Sequence, residues 1–249
     1  MERLAGTEAR LSWRVATITE SKPESPHAKT LVLDVPGWPG QRAGQHVDIR
    51  LTAEDGYQSE RSYSIASAPE TPALELTIDR VEDGEVSPYL TEEARPGDQF
   101  ELRGPVGGYF VWEATSDQPL LLVAGGSGLV PLMAILRQHE LVGSGAGTRL
   151  LLSARTLEDV LYRQELEALR DRAEAVTVHL TLTRDTPPPE WSGWARRVDR
   201  AMLEAVGPGP DARPRVYVCG PTPFVEEAAG LLVEIGYDPR SVHTERFGG

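Results

Sequence analysis

Leu120-Leu121-Leu122-Val123-Ala124-Gly125-Gly126-Ser127-Gly128-Leu129-Val130-Pro131 runs from five apolar residues through a glycine-rich turn into a helical pattern. An uninterrupted apolar run of this length is the signature of a strand buried on both faces, as in a parallel sheet. Pro131 falls in the first helical turn, where its missing amide costs nothing. The same alternation continues downstream. Residues 132–141 read as helix, 150–152 as strand, 158–173 as helix, 176–182 as strand, 202–206 as helix, 216–218 as strand and 225–235 as helix. Strand alternating with helix implies a parallel sheet covered on both faces, which takes its ligands beyond the carboxyl ends of the strands.

Upstream the period changes. Residues 13–18 and 30–35 cluster β-branched side chains, 47–51 and 74–79 alternate apolar with polar, and 100–102 closes the series. Pro36-Gly37-Trp38-Pro39-Gly40 and Glu54-Asp55-Gly56 supply turns between them. Short strands at this spacing favour a small antiparallel barrel. Residues 87–93 stand apart as a short helix introduced by Gly84 and stopped before Pro96-Gly97. The boundary between the halves is expected in the polar connector 113–118, giving domains at 1–115 and 116–249; Pro187-Pro188-Pro189 reads as a stiff loop.

Four motifs carry chemistry. Arg61-Ser62-Tyr63-Ser64 lies in strand-like sequence, with Arg61 and Tyr63 on one side, a cation for a phosphate and a face on which a flat ring can stack. In Gly84-Glu85-Val86-Ser87-Pro88-Tyr89-Leu90, Ser87 is a candidate N-cap with Pro88 at the first helical position, and the amides of such a start suit a diphosphate. The loop Gly125-Gly126-Ser127-Gly128 lets a dinucleotide approach the backbone, but it is neither Gly-x-Gly-x-x-Gly nor a P-loop, so triphosphate hydrolysis is disfavoured. Cys219-Gly220-Pro221 ends the run Val216-Tyr217-Val218, with Thr222 as a cap for the next helix; this places the Cys219 sulfur at the ligand crevice and removes bulk beside it. Alone, these motifs read equally as a polar cross-strand ladder, an ordinary capped helix, a plain glycine-rich turn and a small buried thiol.

Composition excludes several classes. The chain has 249 residues, 40% hydrophobic and 25% charged, which suits two globular domains. No stretch approaches the roughly 18 apolar residues of a membrane span, and the N-terminus lacks the apolar core of a secretory signal, so a cytoplasmic protein is expected. A net charge of −13 argues against nucleic-acid binding. It would also repel an acidic redox partner unless a basic patch intervenes, for which Arg3, Arg10, Arg14, Lys22 and Lys29 are candidates beside the reading as solvated surface charge. One cysteine leaves no internal disulfide and no self-contained four-cysteine cluster, and the five histidines lack metal-ligand spacing. Gly125-Gly126-Ser127-Gly128-Leu129 lacks the final glycine of a nucleophile elbow.

Taken in order, these motifs with Gly104-Pro105-Val106-Gly107 resemble the ferredoxin–NADP⁺ reductase superfamily from about Trp13 to Phe247, in a small bacterial form without a fused iron–sulfur domain. The resemblance implies a Greek-key FAD-binding barrel followed by an NAD(P)-binding α/β domain. It implies that Arg61 meets the flavin diphosphate, Tyr63 packs on the isoalloxazine, and Ser62, Gly84, Val86 and Ser87 complete the FAD cradle. Ser64 would lie near flavin N5, Cys219 near the nicotinamide, and Gly125, Gly126, Ser127, Gly128, Pro131, Gly220 and Pro221 along the nicotinamide nucleotide. Glu245-Arg246-Phe247 resembles the family's glutamate and flavin-shielding aromatic, with Phe in place of Tyr and two glycines after it. Arg155, Thr183 and Arg184 are candidates for a 2′-phosphate, so NADPH is expected and NADH is the alternative. The implied activity is hydride transfer from NAD(P)H to FAD and electron release to a separate carrier such as a ferredoxin, a haem protein or an oxygenase, with Ser64, Cys219 and Glu245 as the catalytic set and the protein acting as a monomer. A free-flavin or quinone reductase and a non-catalytic nucleotide-sensing subunit are the alternatives.

Overall fold

The computed structural model describes residues 11–114, 117–172, 175–185 and 190–247. Arg3, Arg10, Pro187, Pro188, Pro189, the two terminal glycines and part of the expected boundary, Thr115 and Ser116, lie outside the described residues.

The first half is an antiparallel sheet of six strands: β1 (Trp13–Ser25), β2 (Ala28–Asp34), β3 (His46–Thr52), β4 (Gln58–Ser64), β5 (Leu74–Asp79) and β6 (Gln99–Val106), in the order β4-β3-β6-β1-β2-β5. Just past β4, Ile65 bridges to Leu76 and the Ala66 amide donates to the Glu75 carbonyl at 2.8 Å, which closes the sheet into a barrel. Alternation does the sorting. Val47 and Ile49 are fully buried inside, while Asp48 and Arg50 point out, Asp48 accepting from Arg103 at 2.7 Å and Arg50 donating to both Glu101 oxygens at 2.8 and 2.9 Å. Both guanidinium groups lie over the Trp13 ring, at 4.1 and 4.7 Å.

The short helix is α1 (Val86–Pro88), running into a π-helical turn at Tyr89–Glu93, with Val86 and Leu90 buried in the barrel core. It starts earlier than the sequence implied. Glu85 holds the N-cap position, and the Ser87 hydroxyl instead accepts the Val81 amide at 3.0 Å, bracing the preceding turn.

The second half is a parallel sheet of β7 (Leu120–Gly125), β8 (Thr148–Ala154), β9 (Val176–Leu182), β10 (Arg215–Pro221) and β11 (Val242–Phe247), ordered β11-β10-β7-β8-β9. Every residue of β7 is buried. Its Leu120, Leu122 and Ala124 pack toward α2 (Leu129–Leu141) and α3 (Arg163–Arg172), and Leu121 and Val123 toward α4 (Arg200–Val206) and α5 (Thr222–Ile235). Three sequence expectations shift here. Helix α2 begins at Leu129, after a 3₁₀ turn at Gly126–Gly128. Helix α3 begins at Arg163 rather than 158, because Asp159 accepts the Thr156 amide and hydroxyl and Tyr162 takes a left-handed φ of 52°. Pro221, not Thr222, occupies the N-cap position of α5.

Candidate functional site

The carboxyl ends of β7, β8, β9 and β10 open toward the barrel on a cleft of about 570 Å³. Its walls include Asp79 and Arg80 from the end of β5, and Ser127, Arg155, Thr183 and Pro221 from the α/β half. The glycine loop forms because nothing larger fits. A Cβ on Gly128 would stand 2.1 Å from the Cys219 carbonyl oxygen, and one on Gly125 2.8 Å from the Phe224 ring. The loop is thus pressed onto the end of β10, leaving Gly126 and Ser127 at the cleft. Pro131 and Gly128 are buried and back the loop from within. Thr183 ties the tips of β9 and β8 together, its hydroxyl donating to the Ala154 carbonyl at 3.2 Å. Arg155 is exposed at the cleft beside it, and Arg184, whose amide donates to the Arg155 carbonyl at 2.8 Å, stands on the outer side.

On the barrel side, Tyr63 is half-buried against the barrel core, and burial pushes its hydroxyl up to about 12, with Arg61 and a hydrogen bond to Ser87 pulling the other way. Arg61 is exposed and donates to the Glu60 carbonyl at 2.7 Å. Val86 and Ser87 are buried next to Tyr63, behind the tight turn at Gly84, whose amide donates to the Val81 carbonyl at 2.9 Å. Ser62 is not brought to this cradle. It points outward and donates to Asp48 at 2.7 Å, joining the polar ladder on the barrel's outer face.

At the β3–β11 contact, four side chains from the two halves come together. His46 sits opposite Ser64 in the β3–β4 pairing, and its Nδ1 lies 3.9 Å from Glu245 Oε1 on β11. Glu245 in turn pairs with Cys219 across β10–β11. Ser64 Oγ and Glu245 Oε2 are buried with no hydrogen-bond partner, a costly state for polar atoms unless a bound group satisfies them. Burial pushes the Glu245 carboxyl up to about 7. Burial also raises the Cys219 thiol, and nearby Glu245 adds to that; burial lowers His46, against the pull of Asp48. Phe247 pairs with Pro221 and packs half-buried at the end of the sheet. Strand β11 is anchored to the barrel side by Tyr109, whose hydroxyl donates to the Val242 carbonyl at 3.1 Å and whose ring meets His243 edge-on at 5.0 Å.

The donor set fits a flavin. An aromatic face (Tyr63) and a cation (Arg61) share one side of β4 near the Val86–Ser87 helix start, and an orphaned buried hydroxyl (Ser64) ends the strand on its other side. His46 and Asp79 join the site without having been singled out by sequence. The signal for His46 was its place at the head of the alternating strand β3; its partner Glu245 lies in the other sheet, so no local pattern links them.

Comparison with known proteins bears on both halves of the chain. The family model for the oxidoreductase FAD-binding domain matches residues 16–111, and that for the oxidoreductase NAD-binding domain matches 122–230. Ferredoxin–NADP reductase B of Sorangium cellulosum is 38% identical over 213 residues, covering 82% of this chain and 84% of that protein. The glycine betaine monooxygenase reductase subunit of Chromohalobacter salexigens is 33% identical over 209 residues, 83% of this chain; the chain spans 56%, about half, of that relative's length. The flavohem-like FAD/NAD binding domain of nitric oxide dioxygenase from Vibrio cholerae superposes with a TM-score of 0.84 at 23% identity, covering 95% of this chain and 99% of that one, and shares the fold.

Proposed function

Because the chain belongs to the ferredoxin–NADP⁺ reductase superfamily, with its FAD-binding and NAD-binding oxidoreductase domains in that order, we propose that it draws hydride from NADPH onto FAD and hands the electrons to a separate redox protein. The observation that carries this reading is the convergence of Ser64, Glu245 and Cys219 from three strands in two sheets, with two orphaned buried oxygens among them. FAD, when bound, supplies the acceptor for a hydride and the means to release its electrons one at a time. The protein's part is alignment and shielding. Tyr63 and Phe247 offer faces for stacked rings, and Arg61 with the Val86–Ser87 helix start offers charge and amides to a diphosphate. Ser64 donates a hydrogen bond at the reacting edge, Cys219 sets the depth at which a nicotinamide can lie, and Glu245 holds or gives up a proton near neutral pH. Gly126 and Ser127 receive the nicotinamide nucleotide, and Arg155 with Thr183 and Arg184 favours a 2′-phosphate, hence NADPH over NADH.

The acceptor is of the class its relatives' names indicate, a ferredoxin or an oxygenase component. Among the described residues no helix is long and apolar enough to cross a membrane. A visible spectrum recorded before and after anaerobic NADPH tests the reading. Flavin bands that bleach support it, and repetition with NADH ranks the coenzymes. Protein without flavin bands even after reconstitution with FAD would overturn it. Turnover with free FMN or a quinone at rates matching any protein carrier would replace the acceptor assignment.

A further inference from the structure

Strand β5 turns three successive outward side chains toward the α/β half. Glu75 meets Arg137 of α2 at 2.9 Å, and the Thr77 hydroxyl bonds the Tyr162 hydroxyl. The third, Asp79, lies over the nucleotide cleft. Ser127, Arg155, His27 and Asp159 line the same cleft. The first two rungs join the halves and have no cleft to serve. The third opens onto the loop and the arginine assigned above to the nucleotide. Asp79 borders solvent at the cleft mouth, yet enough protein surrounds it to push its carboxyl up, against the pull of Ser127 and Arg155.

We propose that Asp79 sets the affinity of the cleft for the dinucleotide, its carboxylate standing as a like charge on the wall that receives the ligand's phosphates. The inference rests on the function proposed above. A dinucleotide brings several negative charges to a wall that already carries the Asp79 carboxylate. Phosphates bound there stand beside a like charge, which opposes the attraction of Arg155. A residue in this position weakens binding without touching hydride transfer, and so favours release of the oxidised nucleotide.

The test titrates NADP⁺ into the flavin-loaded protein, following the perturbation of the flavin spectrum, for wild type, Asp79→Asn and Asp79→Glu. Asp79→Asn removes the charge and keeps the shape, so it should bind about five- to tenfold more tightly at low salt. The difference should shrink as salt screens the cleft. Asp79→Glu keeps the charge and should stay within about twofold of wild type. Unchanged or weaker binding by Asp79→Asn overturns the proposal, the weaker case because the carboxylate would then be a ligand acceptor. Tighter binding by Asp79→Glu overturns it too, since charge would not be the cause. These outcomes leave the reductase reading intact as long as NADPH bleaches the wild-type flavin. If NADP⁺ perturbs none of the three proteins, the nucleotide reading falls and the role of Asp79 falls with it.

Discussion

Glu245 binds its proton more firmly in the folded chain than an ordinary carboxylate does, because burial raises it to about 7; burial also lowers the nearest imidazole, His46. The folded state therefore holds more protons than the unfolded state between the usual carboxylate range and neutrality. The stability this contributes is fully present at low pH and is lost as pH rises toward about 7. Glu245→Gln removes the titration. It should melt close to wild type at acid pH and above it at pH values beyond about 8, the gap reaching no more than about 3 kcal/mol. Melts of both proteins across this window check the sign, and a constant gap would show that burial of Glu245 does not control its proton. Cys219 calls for a kinetic test. Its side chain is fully buried and flanked in the sheet by Ala124 and Glu245, so its truncation opens space at the strand end without removing a phosphate contact. Cys219→Ala should slow flavin reduction about tenfold or more, with nucleotide affinity within about twofold. Single-turnover reduction in a stopped-flow instrument separates the two, and an unaltered rate would remove Cys219 from the site.

At the scale of elements, the glycine loop decides whether the site can assemble. Gly128→Ala places a carbon where the Cys219 carbonyl oxygen stands, and backbone rather than a flexible side chain must yield. The expected cost is about 3 kcal/mol or more, with nucleotide binding lost together with thermal stability. Gly145→Ala, which meets nothing within 4 Å, serves as the control and should fall within about 0.5 kcal/mol of wild type. This loop was legible in the sequence because glycines between a buried apolar run and a helical pattern have few other uses, and the barrel strands were legible because one face of each is buried. Other elements left no such trace. The start of α3 is set by Asp159 folding back on Thr156 and by the left-handed Tyr162, neither of which changes hydrophobic period. Strand β11 is an edge strand whose six residues are mixed in polarity, and its register comes from β10. Ser62 lies on the side of β4 away from Tyr63, as strand alternation requires, and its partner Asp48 on the adjacent strand could not be read from the tetrapeptide. The site residues themselves were read from motif order, and their meeting depends on contacts such as His46 with Glu245 that no local pattern encodes.

Across the whole molecule, hydride transfer between stacked rings requires that two separately folded sheets hold a fixed distance. The seam along β5 does this with few groups. An apolar cluster crosses it, with Ala66, Phe110 and Trp112 from the first half joining the α2 side of the second. At its centre Arg137 donates to both Glu165 oxygens at 2.7 and 2.8 Å, to Glu75 at 2.9 Å and to the Ala66 carbonyl at 2.9 Å, while its guanidinium lies 5.1 Å from the Tyr162 ring. Removing this one side chain strands two carboxylates that are largely shielded from water, and breaking such a pair costs more than forming it gains. Arg137→Ala should lose about 2 kcal/mol or more of stability, and in calorimetry its unfolding should be broader than that of wild type, or split, as the halves uncouple. Arg137→Lys keeps the charge but cannot reach both glutamates and the carbonyl from one planar fork, so it should recover less than half of the loss. Neither variant touches the nucleotide cleft. Turnover should therefore fall while NADP⁺ affinity holds, because rings that no longer stay in register lose the proximity on which the transfer depends. A variant that kept wild-type turnover despite a split transition would show that the cofactors, once bound, hold the halves together without the seam.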